Sequence, residues 1–224
     1  MPSPIIFDID GTLADTKAVD DKCFVQAFQE TFQIDLQNQD WAALKNVTDH
    51  GITAEIIQTN YNRSPTSAEL AQMKDRLIEL LESELRNDHL QFQPVKGAID
   101  FFSYLKEETN HPLGIATGAW EESAVIKLGG IGLDFSNIAF ANSNHHITRA
   151  GITRYALQQI KKQRPDATDD IIYFGDGAWD YKTCKELGIR FIGIDVLEDG
   201  KLRDLGAETV FSDFRDIQQI MTSF

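Results

Sequence analysis

The chain has 224 residues, 42% hydrophobic and 25% charged, with 15 glycines and 6 prolines, a globular composition that excludes collagen-like or disordered architectures. Its 21 Lys and Arg against 35 Asp and Glu leave a net charge of −14, which repels phosphate backbones and anionic lipid, so neither nucleic acid nor membrane is expected as a partner. No apolar run reaches the roughly 20 residues of a membrane span, and Met1-Pro2-Ser3-Pro4 opens neither a basic nor an apolar signal segment, so a cytoplasmic protein of one large or two small domains is expected.

Taken in chain order, Ile5 to Ile9 reads as a strand buried on both faces. From Gly11 to about Phe92 there is no convincing strand, only helical periodicity. A helix is predicted from Lys17 to Phe32, with Phe24, Val25 and Phe28 on one face, and another around Trp41 to Leu44. Asn46-Val47-Thr48-Asp49-His50-Gly51 reads as a polar loop between helical segments. Ser67 is the expected N-cap of a long helix whose stripe runs through Leu70, Met73, Leu77, Leu80 and Leu81 to Leu85. Beyond Phe92 strands and helices alternate. Ala98, Phe101, Phe102 and Leu105 have helical spacing, as do Tyr155, Ala156, Leu157 and Ile160. Strands are predicted at Leu113 to Thr117, Ile138 to Phe140, Ile171 to Phe174, Phe191 to Ile194 and, weakly, Thr209 to Phe211. This alternation implies a parallel α/β sheet. The expected organisation is a core of residues 1–14 and 92–224 with an all-helical insertion of residues 15–91. Cys23 and Cys184 lie far apart in different kinds of segment and read as buried thiols, with neither a disulfide framework nor a metal knuckle indicated.

The densest chemical signal is Asp8-Ile9-Asp10-Gly11-Thr12-Leu13, where a buried strand runs out into two carboxylates and a glycine turn. Capping a turn would use one such acid and leave the other unexplained. A second acidic pair, Asp176 and Asp180, follows another strand in Gly175-Asp176-Gly177-Ala178-Trp179-Asp180. Ligands of open α/β sheets sit at the carboxyl ends of the strands, so the four acids can converge on one crevice. Such a crevice requires a cation, and all-oxygen ligation suits Mg2+ where a phosphate completes the octahedron. Gly175-x-Gly177 is not a dinucleotide fingerprint, because Asp180 stands at the third glycine position. Thr117-Gly118, at the end of another strand and before an apolar helical pattern, offers a hydroxyl, a flexible backbone and a helix N-terminus, which together suit an anion. The plainer reading is a helix cap with Glu121 at the box position.

With these motifs the chain resembles, over essentially its whole length, the haloacid dehalogenase-like hydrolase superfamily, in its branch of helical-cap phosphatases and sugar-phosphate mutases. Asp8 to Leu13 matches the first motif of that superfamily, Thr117-Gly118 the second and Gly175 to Asp180 the fourth. The resemblance implies a Rossmann-like parallel-sheet core with a helical cap. It implies that Asp8 is a nucleophile forming an aspartyl-phosphate and Asp10 a general acid and then base. It further implies Mg2+ held by Asp8, the main-chain carbonyl of Asp10 and Asp176, with Asp180 ligating through water or orienting Asp176. Thr117 and the Gly118 amide would hold phosphoryl oxygens. Neighbouring acids that share a cation and a phosphate can have their pKa values pushed apart, as those two roles require.

The third motif departs from the pattern, for the lysine usually supplied after the third strand is missing and no lysine occurs between Lys127 and Lys161. Arg149 is the candidate replacement, since arginine bridges carboxylate and phosphate in a fixed fork. The alternative is that Arg149 and Arg154 only solvate the following helix. In relatives of this kind the cap loop faces the active site, which makes Thr48, Asp49 and His50 candidate substrate contacts; an ordinary solvated connection is the alternative. Where mutases place an arginine for a second phosphate, this chain has Asp49. The expected activity is Mg2+-dependent hydrolysis of a small phosphorylated metabolite, with a phosphomutase or a catalytically silent binding protein as rivals. The sequence leaves the oligomeric state open.

Overall fold

The computed structural model describes residues 2–223. β1 (Ile5–Phe7) is followed by a two-residue strand β2 (Ala14–Asp15) and then by the helices α1 (Lys17–Phe32), α2 (Asp49–Tyr61) and α3 (Ser67–Asn87), with short 3-10 turns at Trp41–Ala43 and His89–Gln91. A second short strand, β3 (Gln93–Pro94), returns the chain to α4 (Ala98–Glu108), β4 (Leu113–Ala116), α5 (Glu121–Gly130), β5 (Ala139–Ala141) and α6 (Arg149–Gln163). The remainder is β6 (Ile172–Gly175), α7 (Ala178–Leu187), β7 (Arg190–Ile194), α8 (Lys201–Asp204), β8 (Val210–Phe211) and α9 (Ile217–Met221).

Six strands form one sheet in the order β5-β4-β1-β6-β7-β8, and each pairing in it is parallel. The chain leaves β1 toward β4 and β5 on one side, then crosses to β6, β7 and β8 on the other. That reversal makes β1 a topological switch point, where a crevice opens at the strands' carboxyl ends. Ile5, Ile6 and Phe7 pair with β4 on one side and β6 on the other, so Asp8 is the first side chain beyond the ladder. Its N–H still donates to the Phe174 carbonyl, 2.9 Å away.

β1 is held because its side chains are fully buried. Phe7 stacks on Phe174 with ring centroids 4.9 Å apart, and Phe101 of α4 and Phe214 close the same cluster. Aromatic pairs in such arrangements contribute about 0.5–1.5 kcal/mol beyond their buried area, which makes the strand that carries Asp8 a rigid platform. A separate apolar cluster lies within the insertion. Phe24 and Phe28 of α1, Ile57 of α2 and Met73, Leu77 and Leu81 of α3 form its centre, and Trp120, from the segment before α5, packs into it.

Four local expectations are corrected. The helix α2 begins at Asp49, so Asp49, His50 and Gly51 are helical rather than a loop, and Thr48 is its N-cap, accepting the Gly51 N–H. The N-cap of α3 is Thr66, not Ser67, because Glu69 closes a reciprocal capping box with Thr66. Glu121 is the first residue of α5 and not its box residue, and the N-cap Trp120 makes no side-chain cap bond. The region before Phe92 also holds a strand, for β2 pairs antiparallel with β3, joining Ala14 to Pro94 and Asp15 to Gln93. The two chain connections of the insertion are thus hydrogen-bonded to each other. Two residues are too short a span for periodicity to reveal. Among the described residues no helix is long and apolar enough to cross a membrane.

Candidate active site

A cavity of about 90 Å³ lies at the end of β1, between the sheet and the helical insertion. Asp8, Asp10, Gly118, Ala119, Arg149 and Trp179 line it from below, while Asp20, Asp21, Phe24, Trp41, Asp49 and Ile52 line it from above. Several hydrogen bonds seat the insertion on this site. Asp49 N–H donates to the Gly118 carbonyl (2.8 Å), Trp120 N–H donates to Asp49 Oδ2 (2.8 Å), and the Thr48 hydroxyl donates to the Ile147 carbonyl (2.8 Å).

The two acids of the first motif face different partners. Asp8, 2% exposed, accepts from Arg149 Nη1 at 3.0 Å. Asp10 accepts from the Thr16 hydroxyl at 2.6 Å and from Lys127 Nζ at 2.6 Å. Gly11 is the residue that permits the turn, since its φ of +81° is left-handed and a Cβ there would lie 2.2 Å from Asp176 Oδ2. Among the described residues, carboxylate oxygens of Asp8, Asp176 and Asp180 lie within 4.8 Å of one another. Asp176 Oδ2 takes Lys17 Nζ at 2.7 Å, whereas its buried Oδ1 has no hydrogen-bond partner. An orphaned buried carboxylate oxygen among three converging acids fits a hard divalent cation such as Mg2+. Asp180 differs from the other two. Its Oδ1 takes Arg149 Nη1 (3.3 Å) and the Tyr173 hydroxyl (3.2 Å) and its Oδ2 takes the Gly177 N–H (3.0 Å), so its oxygens are committed to the protein. Asp10 stands outside the cluster through its side chain, which leaves only its main-chain carbonyl as a ligand.

Arg149 is the first residue of α6, and its guanidinium is buried between Asp8 and Asp180 while Nε donates to the Val47 carbonyl at 2.8 Å. Burial would lower its pKa, but the charges of Asp8 and Asp180 outweigh that and raise it. Gly118 has to be small here, because a Cβ would come within 2.7 Å of that guanidinium. Arg154 is exposed and meets Glu186 at 3.3 Å. Thr117 is buried at the end of β4 and its hydroxyl accepts the Ala119 N–H, leaving its own proton to donate. Thr48 and Asp49 line the cavity, and His50 does not. His145 stacks on Tyr155 at 4.3 Å, and His146 is bonded to Thr148, so the two histidines do not converge.

Lys127 is the functional side chain that sequence reasoning passes over. It is fully buried on α5, with Nζ 2.6 Å from Asp10 and 2.8 Å from Asp20 of α1, and so ties the sheet's acid to the insertion. Burial would depress its pKa, yet the neighbouring Asp10, Asp20 and Asp49 raise it. The acids of this region are crowded. Burial pushes Asp20 up to about 8 against the pull of Lys127, Asp49 to about 6 against Lys127 and the Trp120 N–H, and Asp176 to about 6 against Lys17.

Residues 5–194 match the haloacid dehalogenase-like hydrolase family, and the chain belongs to it. It is therefore an enzyme of the hydrolase class built on a Rossmann-like α/β core. A phosphoglycolate phosphatase from Mesorhizobium japonicum is 26% identical over 214 residues, covering 94% of this chain and 90% of that protein. A hydrolase from Pseudomonas syringae superposes with a TM-score of 0.77 at 21% identity, covering 99% of both chains. A protein from Bacteroides vulgatus provisionally assigned as a beta-phosphoglucomutase superposes with a TM-score of 0.72 at 16% identity, covering 99% of this chain and 88% of that one. At those identities the two structures establish a common fold.

The crowding has a measurable consequence. Asp20 keeps its proton up to about pH 8 in the folded state, whereas the unfolded chain releases it near 3.8, so this group makes the folded state less stable as pH rises between those values. Asp20→Asn removes that contribution. In urea denaturation without added metal, the stability of the variant relative to wild type is expected to increase steadily from pH 4 to pH 8; a difference independent of pH would contradict the assignment.

Proposed function

We propose that this hydrolase is a Mg2+-dependent phosphatase that cleaves a small phosphorylated metabolite through an aspartyl-phosphate on Asp8. The observation that carries the reading is the placement of Asp8 and Asp10 on one small cavity, with Arg149 on Asp8 and an orphaned Asp176 oxygen beside it. The phosphatase name of the 26% identical relative supports it.

In this reading Asp8 attacks phosphorus, the ester P–O bond breaks, and the alcohol leaves with a proton from Asp10. Water then attacks the phosphorus of the acyl phosphate and gives its proton to Asp10, and the P–O bond to Asp8 breaks to release phosphate. Mg2+ held by Asp8, the Asp10 carbonyl and Asp176 would neutralise the carboxylates that an incoming phosphate dianion meets. Arg149 supplies a fixed cation in place of the superfamily's lysine, and Asp180 buries and aims it. Thr117 and the Gly118 amide hold phosphoryl oxygens. Residues 15–91 act as a cap that excludes water while the phosphoenzyme forms, moving about the paired connections at Ala14–Asp15 and Gln93–Pro94. A phosphomutase needs a seat for a second phosphate, whereas the insertion lines the cavity with Asp20, Asp21 and Asp49, and its Lys17 is engaged by Asp176.

Two sets of variants test this. With p-nitrophenyl phosphate and a panel of phosphorylated metabolites, turnover should require Mg2+ and vanish in Asp8→Asn. Asp10→Asn should slow alkyl phosphates by about 10²–10⁴-fold, the usual worth of a proton-transfer group. A fully active Asp8→Asn protein would remove the mechanism. Arg149→Ala should raise KM and lower kcat together, Arg149→Lys should recover part of the loss, and Arg154→Ala should resemble wild type. A neutral Arg149→Ala beside a crippled Arg154→Ala would transfer the cation's role to Arg154.

A further inference from the structure

The upper half of the cavity is not used by the phosphoryl chemistry, and its composition is one-sided. Its apolar walls include Phe24 and Trp41, which meet edge to face with centroids 5.7 Å apart, and Ile52. Its acids are Asp20, Asp21 and Asp49, of which Asp20 is held by Lys127, and Lys17, which also lines it, is engaged by Asp176. Asp49 is only 7% exposed; its Oδ2 is held by the Trp120 N–H, while its Oδ1 accepts no hydrogen bond from the described residues. A buried carboxylate with one oxygen fixed and the other free beside a cavity is an acceptor awaiting a donor.

Among the described residues, each basic side chain at the cavity is already paired with an acid. Lys17 is on Asp176, Lys127 lies between Asp10 and Asp20, and Arg149 is divided among Asp8, Asp180 and the Val47 carbonyl. A carboxylate or second phosphate on the leaving group would meet the carboxylates of Asp49 and Asp21, with Lys17 and Lys127 already engaged by other acids. A cation would meet a free acceptor oxygen and aromatic faces, the combination that binds organic ammonium groups.

We propose that Asp49 determines specificity, its free oxygen accepting a hydrogen bond from an ammonium group on the leaving alcohol, so that the substrate class is the phosphate monoester of a short amino alcohol. The inference rests on the phosphatase reading above. It also separates this chain from its phosphoglycolate phosphatase relative, since phosphoglycolate would direct a carboxylate at the same wall.

The test compares phosphoethanolamine, its uncharged isostere n-propyl phosphate and 2-phosphoglycolate on the Mg2+-loaded full chain. The expected order of kcat/KM is phosphoethanolamine at least tenfold above propyl phosphate, with phosphoglycolate lowest. Asp49→Asn keeps an acceptor for the Trp120 N–H and should collapse the ratio of phosphoethanolamine to propyl phosphate toward one. Equal use of the first two esters by wild type, preference for phosphoglycolate, or a ratio unchanged in Asp49→Asn would each overturn the proposal. In parallel, calorimetric titration of the three esters into Asp8→Asn with Mg2+ reads the same preference without turnover. If no phosphate monoester, p-nitrophenyl phosphate included, is hydrolysed but phosphoethanolamine still binds at least tenfold more tightly, the phosphatase reading fails and the role of Asp49 stands. If the three bind alike, the role of Asp49 fails.

Discussion

Asp8, Asp10, Asp20 and Asp49 line one cavity at the end of β1, Asp176 and Asp180 converge on Asp8 beside it, and Lys17, Lys127 and Arg149 answer them. Burying that many carboxylates is unfavourable unless each is paired, protonated or bound to a cation. The architecture follows from how that demand is met. Arg149 enters from the start of α6, Lys127 from α5 and Lys17 from the start of α1, so elements distant in sequence are pinned to one point. Each cation is shared or committed, and the orphaned Oδ1 of Asp176 marks where the protein's own charges run out.

The same economy links the sheet to the insertion. Lys127 joins Asp10 to Asp20, Arg149 reaches the Val47 carbonyl, and Asp49 exchanges hydrogen bonds with Gly118 and Trp120. The residue that orders Asp10 therefore also ties residues of α1 to the sheet. The two halves of the cavity are in this way parts of one electrostatic arrangement.

Much of this is legible from sequence, for physical reasons. A strand buried on both faces is a continuous apolar run, and an acid pair directly after it has few structural uses, so Asp8 and Asp10 stand out, as do Asp176 and Asp180. Arg149 is found by what is missing around it. Lys127 is not, because it lies between Ile126 and Leu128 as an ordinary helical lysine, and its burial depends on Asp20, 107 positions away. The start of α2 is hidden for another reason. Asp49, Gly51 and Thr53 are buried along with Ile52, Ile56 and Ile57, so the helix has no one-sided apolar stripe, and its first turn reads as a polar loop. Thr66 and Ser67 are adjacent hydroxyls that can each cap a helix, serine being the better on its own, and the box with Glu69 decides for Thr66.

In the proposed mechanism Asp8 carries the phosphoryl group. Rapid-quench mass spectrometry of peptides from the enzyme mixed with a phosphate monoester and Mg2+ measures this directly. The account predicts a transient phosphoryl adduct on the peptide containing Asp8, sited at that residue and decaying as inorganic phosphate appears. Turnover with no adduct on that peptide, or an adduct formed on another side chain at the catalytic rate, would contradict it.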